Sequence, residues 1–420
     1  MAFELSEEQR ELAGTVDRLL ADTTAGPRAR QLIEAPDGWR ELWDAVADLG
    51  ALAMAAPEQS GGLGLGPVEL VAVAEAVGRH LAPGPIVATA GAFVPTLAPL
   101  AAEHPLAAAA LAAVAEDGAT AALVASDPHP RAGAPAATAA DPREDAPPAG
   151  APASKRVDAP PARAAPGGLP RVRDGRLTAA PVVPDAEKLD WIALAVAGDG
   201  IVLLERSQFT LEEAAEIDPS RPLARVRIDD LDVTDRLLPA PAGGFGVAHA
   251  TAAAELVGLA DALLRMSVAY AGERQQFGVA IGSFQALKHR LADVHIAVER
   301  ARSHVWHAAV LAQTAASAPA IDASAPVSAQ SAPAIDASAP AIDTSAPANQ
   351  AAHFAKAAAA DAVTAAARAA VQVHGGIGIT AEHDVSLLYL RARQAAFALG
   401  SGDDHYLAAI AHEVEPAHAG

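Results

Sequence analysis

Two segments of the sequence bring together residue types that bind anions. In residues 272–295, Arg274 and Gln276 lie in a glycine-containing loop just before an expected helix N-terminus. In residues 372–393, a glycine-rich stretch of bare backbone directly follows a helical pattern. A guanidinium group, free backbone amides and the positive end of a helix all favour a phosphate or another anion. Spacing alone is equally compatible with two structural turns.

Two carboxylates near the end of the sequence, Asp403 and Asp404, follow the turn Gly400-Ser401-Gly402. A carboxylate can serve as a general base if it reaches within about 3 Å of the proton that it removes. The pattern Ser401-x-x-Asp404 is also a capping box, and acids in the first turn of a helix stabilise its N-terminus. The sequence favours the cap over the base.

Composition excludes several classes of function. The 420 residues are 51% hydrophobic but only 4% aromatic, which favours close-packed helices. A net charge of -21 argues against a nucleic-acid partner or an anionic membrane. The absence of cysteine rules out disulfides, thiolate nucleophiles and cysteine-bound zinc, so any redox chemistry needs a bound cofactor. We expect a cytoplasmic protein without a targeting signal, since the first residues predict a helix capped by Ser6 and Gln9.

Changes in residue pattern divide the chain into four parts. Helical periodicity extends to about residue 124, a Pro/Ala-rich stretch follows, Val- and Ile-rich runs predict short strands, and the helical period then returns. The predicted parts are an N-terminal helical domain at 1–125, a mobile segment at 126–171, a small middle β domain at 172–240 and a C-terminal helical bundle at 245–414. The predicted fold class is mainly α with a small β domain.

The longest predicted helix of the bundle is interrupted by a repeat. Its apolar residues recur at steps of three and four and predict one stripe facing a core: Phe284, Leu287, Leu291, Val294, Val298 and Val305. After it, serine and proline recur every seven residues, with "SAPAIDA" as the fullest unit. Proline at this period is incompatible with a coiled coil, so residues 315–350 are predicted to be a disordered insertion without a catalytic role.

Other motifs have simpler structural explanations. The loop "GGLGLG" lacks a preceding strand and is better explained as a turn between helices than as a dinucleotide site. The pair His295 and Glu299, and the pair His304 and His307, lack the partners of a di-metal bundle. We therefore predict no metal site and no classical hydrolase site.

The two anion-binding segments resemble the C-terminal bundle of the acyl-CoA dehydrogenase family. That family's signature has the form Arg-x-x-Phe-Gly, then Phe-Gln, then Gln-x-x-Gly-Gly-x-Gly, and the chain carries "RQQFG", "FQ" and "QVHGGIG". The loop "PEQSGGLG" is similar to a first-domain loop of the family, and "RPLARVRIDDLDV" is similar to its middle sheet. The resemblance implies a helical domain, a β domain and a four-helix bundle, assembled as a tetramer.

The resemblance also implies a cofactor, FAD, and an acyl-CoA substrate. In the family a carboxylate removes the α proton while a hydride leaves the β carbon for the flavin. By resemblance, the residues of this chain that contact FAD are Arg274, Gln276, Phe277, Phe284, Gln372, Gly375 and Gly376. In the family these elements reach across an interface into the flavin site of the neighbouring subunit.

The chain departs from the family at the catalytic base. The commonest Glu position is occupied by Leu399, and the alternative position, 26 residues before the flavin-binding arginine, is occupied by Ala248. The stretch that covers the flavin ring in the family is reduced here to "ASDPHP". Some family members, including ones that act on steroid side-chain CoA thioesters, are built from two different chains with one active site per pair.

Three hypotheses follow from this departure. The first is a non-catalytic subunit of a heteromeric acyl-CoA dehydrogenase that supplies FAD-binding residues in trans to a homologous partner. The second is an active homotetramer with a displaced base at Asp403, Asp404 or Glu255. The third is a flavin-free helical scaffold.

Overall fold

The computed structural model describes residues 5–125, 169–198, 200–215, 217–241, 243–317 and 346–414. Most of the predicted mobile segment at 126–171 and most of the heptad insertion lie outside these residues, so the structure does not test either prediction.

The N-terminal part is helical, as predicted. Its first helix begins at the expected capping box, in which the Ser6 hydroxyl accepts from the Gln9 amide at 3.1 Å and the Gln9 side chain accepts from the Ser6 amide at 2.9 Å. The helices are α1 (Glu7–Thr23), α2 (Arg28–Glu34), α3 (Gly38–Asp48), α4 (Pro67–Arg79), α5 (Val94–Leu97) and α6 (Pro105–Asp117). A π-helical segment, Val87–Phe93, leads into α5. The loop "GGLGLG" joins α3 to α4, in agreement with a turn between helices.

The middle part contains two four-stranded groups that follow the predicted strand runs. The strands are β1 (Ala121–Val124), β2 (Arg176–Ala179), β3 (Val182–Pro184), β4 (Trp191–Val196), β5 (Gly200–Glu205), β6 (Thr210–Glu213), β7 (Leu223–Asp232) and β8 (Leu237–Pro239). One sheet has the order β1-β4-β5-β8, and in the other β7 pairs with β2, β3 and β6.

Strand β1 corrects the prediction that the helical pattern extends to about residue 124. Ala121 pairs in parallel with Trp191, so this strand completes the middle sheet although the chain reaches it from the N-terminal helices. The run Ala-Ala-Leu-Val is too short for its periodicity to separate a buried strand from a helix.

The C-terminal part is a bundle around one central helix. It consists of α7 (Gly246–Glu273), a hairpin of β9 (Gln275–Gln276) and β10 (Val279–Ala280), α8 (Gln285–Ser317), α9 (Ala346–His374), α10 (Asp384–Ala395) and α11 (Gly402–Val414). Helix α7 is long and apolar enough to cross a membrane, but 94% of its most apolar window is buried within the protein, as in a bundle core. The predicted fold class is confirmed.

The apolar stripe of α8 is buried over only part of its length. Val294, Val298 and Val305 are buried as predicted, whereas Phe284 is 41% exposed and Leu287 is only partly covered. The described residues therefore leave the N-terminal end of the stripe partly uncovered.

The edges of the heptad insertion are helical rather than disordered. Helix α8 continues to Ser317, and α9 begins at Ala346 with Pro347 in its first turn. A proline is tolerated there because the amides of the first turn have no helical partner to lose. The predicted bounds of 315–350 stay a prediction, because most of that segment lies outside the described residues.

Candidate functional site

A hairpin follows the C-terminal end of α7, and the described residues leave its side chains largely exposed. Arg274 ends the helix, and Phe277 and Gly278 form a two-residue turn with φ angles of 53° and 79°. Positive φ at both positions is typical of a type I′ hairpin turn, but a bulky residue there is unusual. The Phe277 ring is 90% exposed and lies edge-to-face with the Phe284 ring, with centroids 6.3 Å apart. The turn thus holds an aromatic ring out into solvent.

Arg274 and Gln276 are exposed on the same hairpin. Within the described part of the chain, the Arg274 guanidinium takes part in no salt bridge. A free cation beside the N-terminus of the 33-residue helix α8 is suited to an anionic group.

The glycine-rich turn after α9 lies at the same end of the bundle. The Tyr270 and His374 rings stack with centroids 4.4 Å apart and so join the last turn of α7 to the last turn of α9. Gln372, Gly375 and Gly376 are exposed beside this contact. The structure therefore brings the two predicted anion-binding segments to one end of the molecule.

Internal packing does not explain why two of these glycines lack side chains. Among the residues that the structure describes, none has an atom within 4 Å of a β-carbon built on Gly375 or Gly376. A β-carbon on Gly378, in contrast, would lie 2.9 Å from that of His374. Gly375 has a φ of 61°, which favours glycine. At Gly376, neither a positive φ nor packing against the described residues requires a glycine. Bare backbone at Gly376 is what a ligand or second chain would need for close approach.

Both positions of the missing base lie at the other end of α7. Ala248 is buried in the first turn of that helix, and its neighbour His249 packs edge-to-face on His405 with centroids 4.7 Å apart. His405 in turn contacts the Leu399 carbonyl at 3.0 Å. Neither an alanine nor a leucine side chain can accept a proton.

The two ends of α7 are too far apart for groups at both ends to contact the reacting atoms of one bound molecule. Ala248 and Arg274 are separated by 26 residues. At a rise of 1.5 Å per residue this is roughly 39 Å. A base has to lie within about 3 Å of its proton. The base positions and the anion-binding surface of one chain therefore belong to different sites.

The carboxylates considered as a displaced base have other partners or are exposed. The Asp404 carboxylate accepts from the Ser401 hydroxyl at 2.6 Å and from its amide at 3.1 Å, so the expected capping box is present. Asp403 is exposed in the first turn of α11. Glu255 is buried and lies 2.7 Å from the guanidinium of Arg221 and 3.5 Å from that of Arg391. Asp404 and Glu255 are thus engaged by other groups, and Asp403 lies on the surface.

A buried polar cluster beside the empty base positions was not predicted from the sequence. It consists of His249, His353 and His405, with Lys356 one turn after His353 on α9. Burial lowers the pKa of the Lys356 amino group to about 7, opposed by the Glu255 carboxylate. Burial, and then the charge of Lys356, lowers the pKa of His405 to about 3. The only available signal was a lone lysine within the alanine-rich run "FAKAAAADA".

Comparison with known proteins identifies the family. The sequence model "Acyl-CoA dehydrogenase, N-terminal domain" matches residues 6–104. The model "Acyl-CoA dehydrogenase, C-terminal domain" matches residues 239–332 and 330–413. Together these matches cover more than half of the chain. The chain belongs to the acyl-CoA dehydrogenase family. The resemblance recognised from the sequence motifs is confirmed.

Individual relatives agree with this assignment. The chain is 31% identical over 230 residues to acyl-CoA dehydrogenase IpdE2 of Mycobacterium tuberculosis, an alignment that covers 52% of the chain and 56% of the relative. A second IpdE2, from Mycolicibacterium smegmatis, is 31% identical over 211 residues, with 50% of the chain and 55% of that protein covered. The chain thus spans about half the length of the curated relatives that it matches.

Solved structures share the fold over nearly the whole chain. The ChsE4-ChsE5 complex from Mycobacterium tuberculosis superposes with a TM-score of 0.71, 23% identity and 99% of each chain covered. Butyryl-CoA dehydrogenase from Megasphaera elsdenii superposes with a TM-score of 0.69, 18% identity, and 99% and 100% of the two chains covered. At these identities the similarity establishes the fold alone.

The residues at the Arg274 end fit FAD. A phosphate-bearing cofactor needs a cation, backbone that it can approach closely and an aromatic or apolar surface beside them. Arg274 provides the cation, Gly376 provides the approachable backbone, and the rings of Phe277 and Phe284 provide the aromatic surface.

Proposed function

We propose that this chain is the subunit without a catalytic base in a heteromeric, FAD-dependent acyl-CoA dehydrogenase. The observation that carries the proposal is the asymmetry along α7. Ala248 and Leu399 provide no base at one end, while Arg274 and Gly376 are exposed without an internal role at the other end. A chain with this arrangement contributes to catalysis only at a site that another subunit completes.

In this proposal each exposed group has a role toward the partner's cofactor. When bound, FAD accepts the hydride in the α,β-dehydrogenation of an acyl-CoA thioester. The Arg274 guanidinium binds the pyrophosphate, with Gln276, Phe277 and Phe284 beside it. Gln372, Gly375 and Gly376 line the adenosine side through backbone contacts. The partner binds most of the acyl-CoA and provides the carboxylate that removes the α proton.

The two other hypotheses have less support. An active homotetramer needs a base, but Asp404 is engaged in its cap and Glu255 is paired with buried guanidinium groups. A flavin-free scaffold gives no reason for an Arg274 that forms no salt bridge within the described residues, or for bare backbone at Gly376 at the same end of the bundle. The ChsE4-ChsE5 structure is a complex of two differently named chains, and the similarity to its fold supports pairing with a homologous subunit. We propose a cytoplasmic heterotetramer.

Substitution of Arg274 tests the contribution in trans. We expect that Arg274→Ala, co-expressed with a homologous subunit that retains the Glu, lowers the flavin content and turnover of the complex by at least about tenfold, because a charge-assisted phosphate contact contributes about 1.5–3 kcal/mol. Arg265→Ala, which removes an exposed arginine two to three turns earlier on α7, should leave both unchanged. Absorbance of the flavin per mole of complex and dehydrogenation of an acyl-CoA with an electron acceptor provide the measurements.

Size-exclusion chromatography distinguishes lost binding from lost assembly. The Arg274→Ala complex should elute with the unsubstituted complex and regain part of its flavin at high FAD concentration. Unchanged flavin content and turnover in Arg274→Ala would contradict the proposed role of this surface.

A further inference from the structure

Three histidines from three helices meet in the interior beside the empty base positions. His249 is in α7, His353 in α9 and His405 in α11, and their potential ligand atoms all lie within 4.8 Å of one another. The ring centroids are 4.7–5.0 Å apart. Both His249 and His405 are buried. Such a cluster is expensive to bury unless its nitrogen atoms are satisfied.

The hydrogen bonds of His405 direct one nitrogen lone pair into the cluster. Its Nε2 lies 3.0 Å from the Leu399 carbonyl oxygen, and because a carbonyl only accepts, Nε2 carries the proton. The His405 Nδ1 is then an acceptor, and it lies 2.7 Å from Nδ1 of His353. A backbone carbonyl that fixes the tautomer of a histidine in this way is typical of the outer shell of metal sites.

His249 supplies an independent indication of a missing partner. Its buried Nδ1 makes no hydrogen bond with any part of the chain that the structure describes. A buried polar atom without a partner costs about 1–3 kcal/mol. A metal ion is one partner that this nitrogen could take.

We propose that His249, His353 and His405 bind a divalent transition-metal ion of the zinc class. Neutral imidazoles are preferred zinc ligands at about 2.0–2.1 Å, and a tetrahedral site then separates its nitrogen atoms by about 3.4 Å. To bind the ion, the rings would have to rotate so that the 2.7 Å contact between the Nδ1 atoms of His353 and His405 lengthens. Three protein ligands leave a fourth position for water.

Two charged side chains lie near the cluster, and they act in opposite senses on a bound cation: the Lys356 amino group opposes it and the Asp404 carboxylate favours it. Lys356 donates to the carbonyls of Ala396 at 3.0 Å and Gly400 at 3.3 Å, so its amino group is directed to that turn. The ion would link α7, α9 and α11 where the catalytic Glu is missing. This inference does not depend on the proposed function.

Zinc binding by the untagged full chain tests the site. After stripping with a chelator, incubation with Zn²⁺ and desalting, elemental analysis should give about one zinc per chain. His249→Gln and His405→Gln should each lower the affinity for Zn²⁺ by at least about tenfold. The control is His295→Gln, which removes an exposed histidine of α8 and should leave the affinity unchanged.

A second measurement removes the ambiguity of a variant that fails to fold. Co²⁺ bound to the unsubstituted chain should show the intense visible absorption of a tetrahedral nitrogen site, and added Zn²⁺ should abolish it. Weak octahedral bands, no zinc retained after desalting, or zinc retained equally by His249→Gln would each overturn the proposal.

Discussion

Arg391→Met is expected to lower the free energy of unfolding by about 3–5 kcal/mol, because it leaves buried carboxylates without their cation. The Arg391 side chain is fully buried, and its Nε lies 2.6 Å from the equally buried carboxylate of Asp218. It also donates to the Ser220 hydroxyl at 2.6 Å and lies 3.5 Å from Glu255. The expected loss would appear as a lower midpoint of denaturant or thermal unfolding.

This effect is large because Arg391 belongs to a balanced buried network. The network holds three cations and three carboxylates: Arg391, Arg221, Lys188, Asp218, Glu255 and Asp185. It joins helices α7 and α10 to the loop that precedes β7, and Arg391 also donates to the Ala82 carbonyl at 3.3 Å. Loss of one cation therefore weakens the contacts among α7, α10 and the loop that precedes β7.

Arg393→Met on the same helix is the matched control for this substitution. Arg393 is exposed, so its replacement should change stability by no more than about 0.5 kcal/mol. The double variant Arg391→Met with Asp218→Asn should recover part of the loss, since it removes the buried charge left behind. Equal stability of the Arg391→Met and Arg393→Met chains would contradict the account of the network.

Gly258→Ala is expected to destabilise the chain by on the order of 3 kcal/mol, because α4 and α7 cross there with their backbones in contact. A β-carbon on Gly258 would lie 2.0 Å from the Glu75 carbonyl oxygen, and one on Gly78 would lie 2.1 Å from that of Glu255. A backbone atom cannot rotate away as a side chain can, so the helices would have to separate.

Gly272→Ala, on the same helix, should have the opposite effect. Within the described residues, nothing lies within 4 Å of a β-carbon on Gly272. Alanine there should raise stability by about 0.5–1 kcal/mol, because it restricts the unfolded chain and favours the helix. Denaturant unfolding of both variants gives the comparison, and a destabilised Gly272→Ala with a neutral Gly258→Ala would refute the close crossing.

Features that depend on neighbouring residues were predictable from the sequence. The caps at Ser6 and Ser401 were both identified, because a capping box places its two partners three residues apart. The strands of the middle part were also anticipated from their Val- and Ile-rich runs. The predicted domain boundaries stay predictions.

Features that depend on distant residues were not predictable in this way. Strand β1 finds its partner β4 some 70 residues later, and no local pattern indicates that pairing. Arg391 meets Asp218 and Glu255 across 173 and 136 residues. The burial and the partners of Arg391 follow from how distant parts of the chain pack together.

The candidate site combines both kinds of information. The residues of the Arg274 surface and the loss of the base at Leu399 followed from motifs and from their resemblance to a family. The distance between Arg274 and the base position at Ala248 follows from the unbroken helix α7 between them. The histidine cluster was missed because each of its members comes from a different helix.

Flavin stoichiometry tests the central proposal most directly. The chain purified alone should contain no flavin, whereas its complex with a homologous subunit that retains the Glu should contain one FAD for every two chains and dehydrogenate an acyl-CoA. A homotetramer of this chain alone that carries one FAD per chain and turns over an acyl-CoA would contradict the proposal.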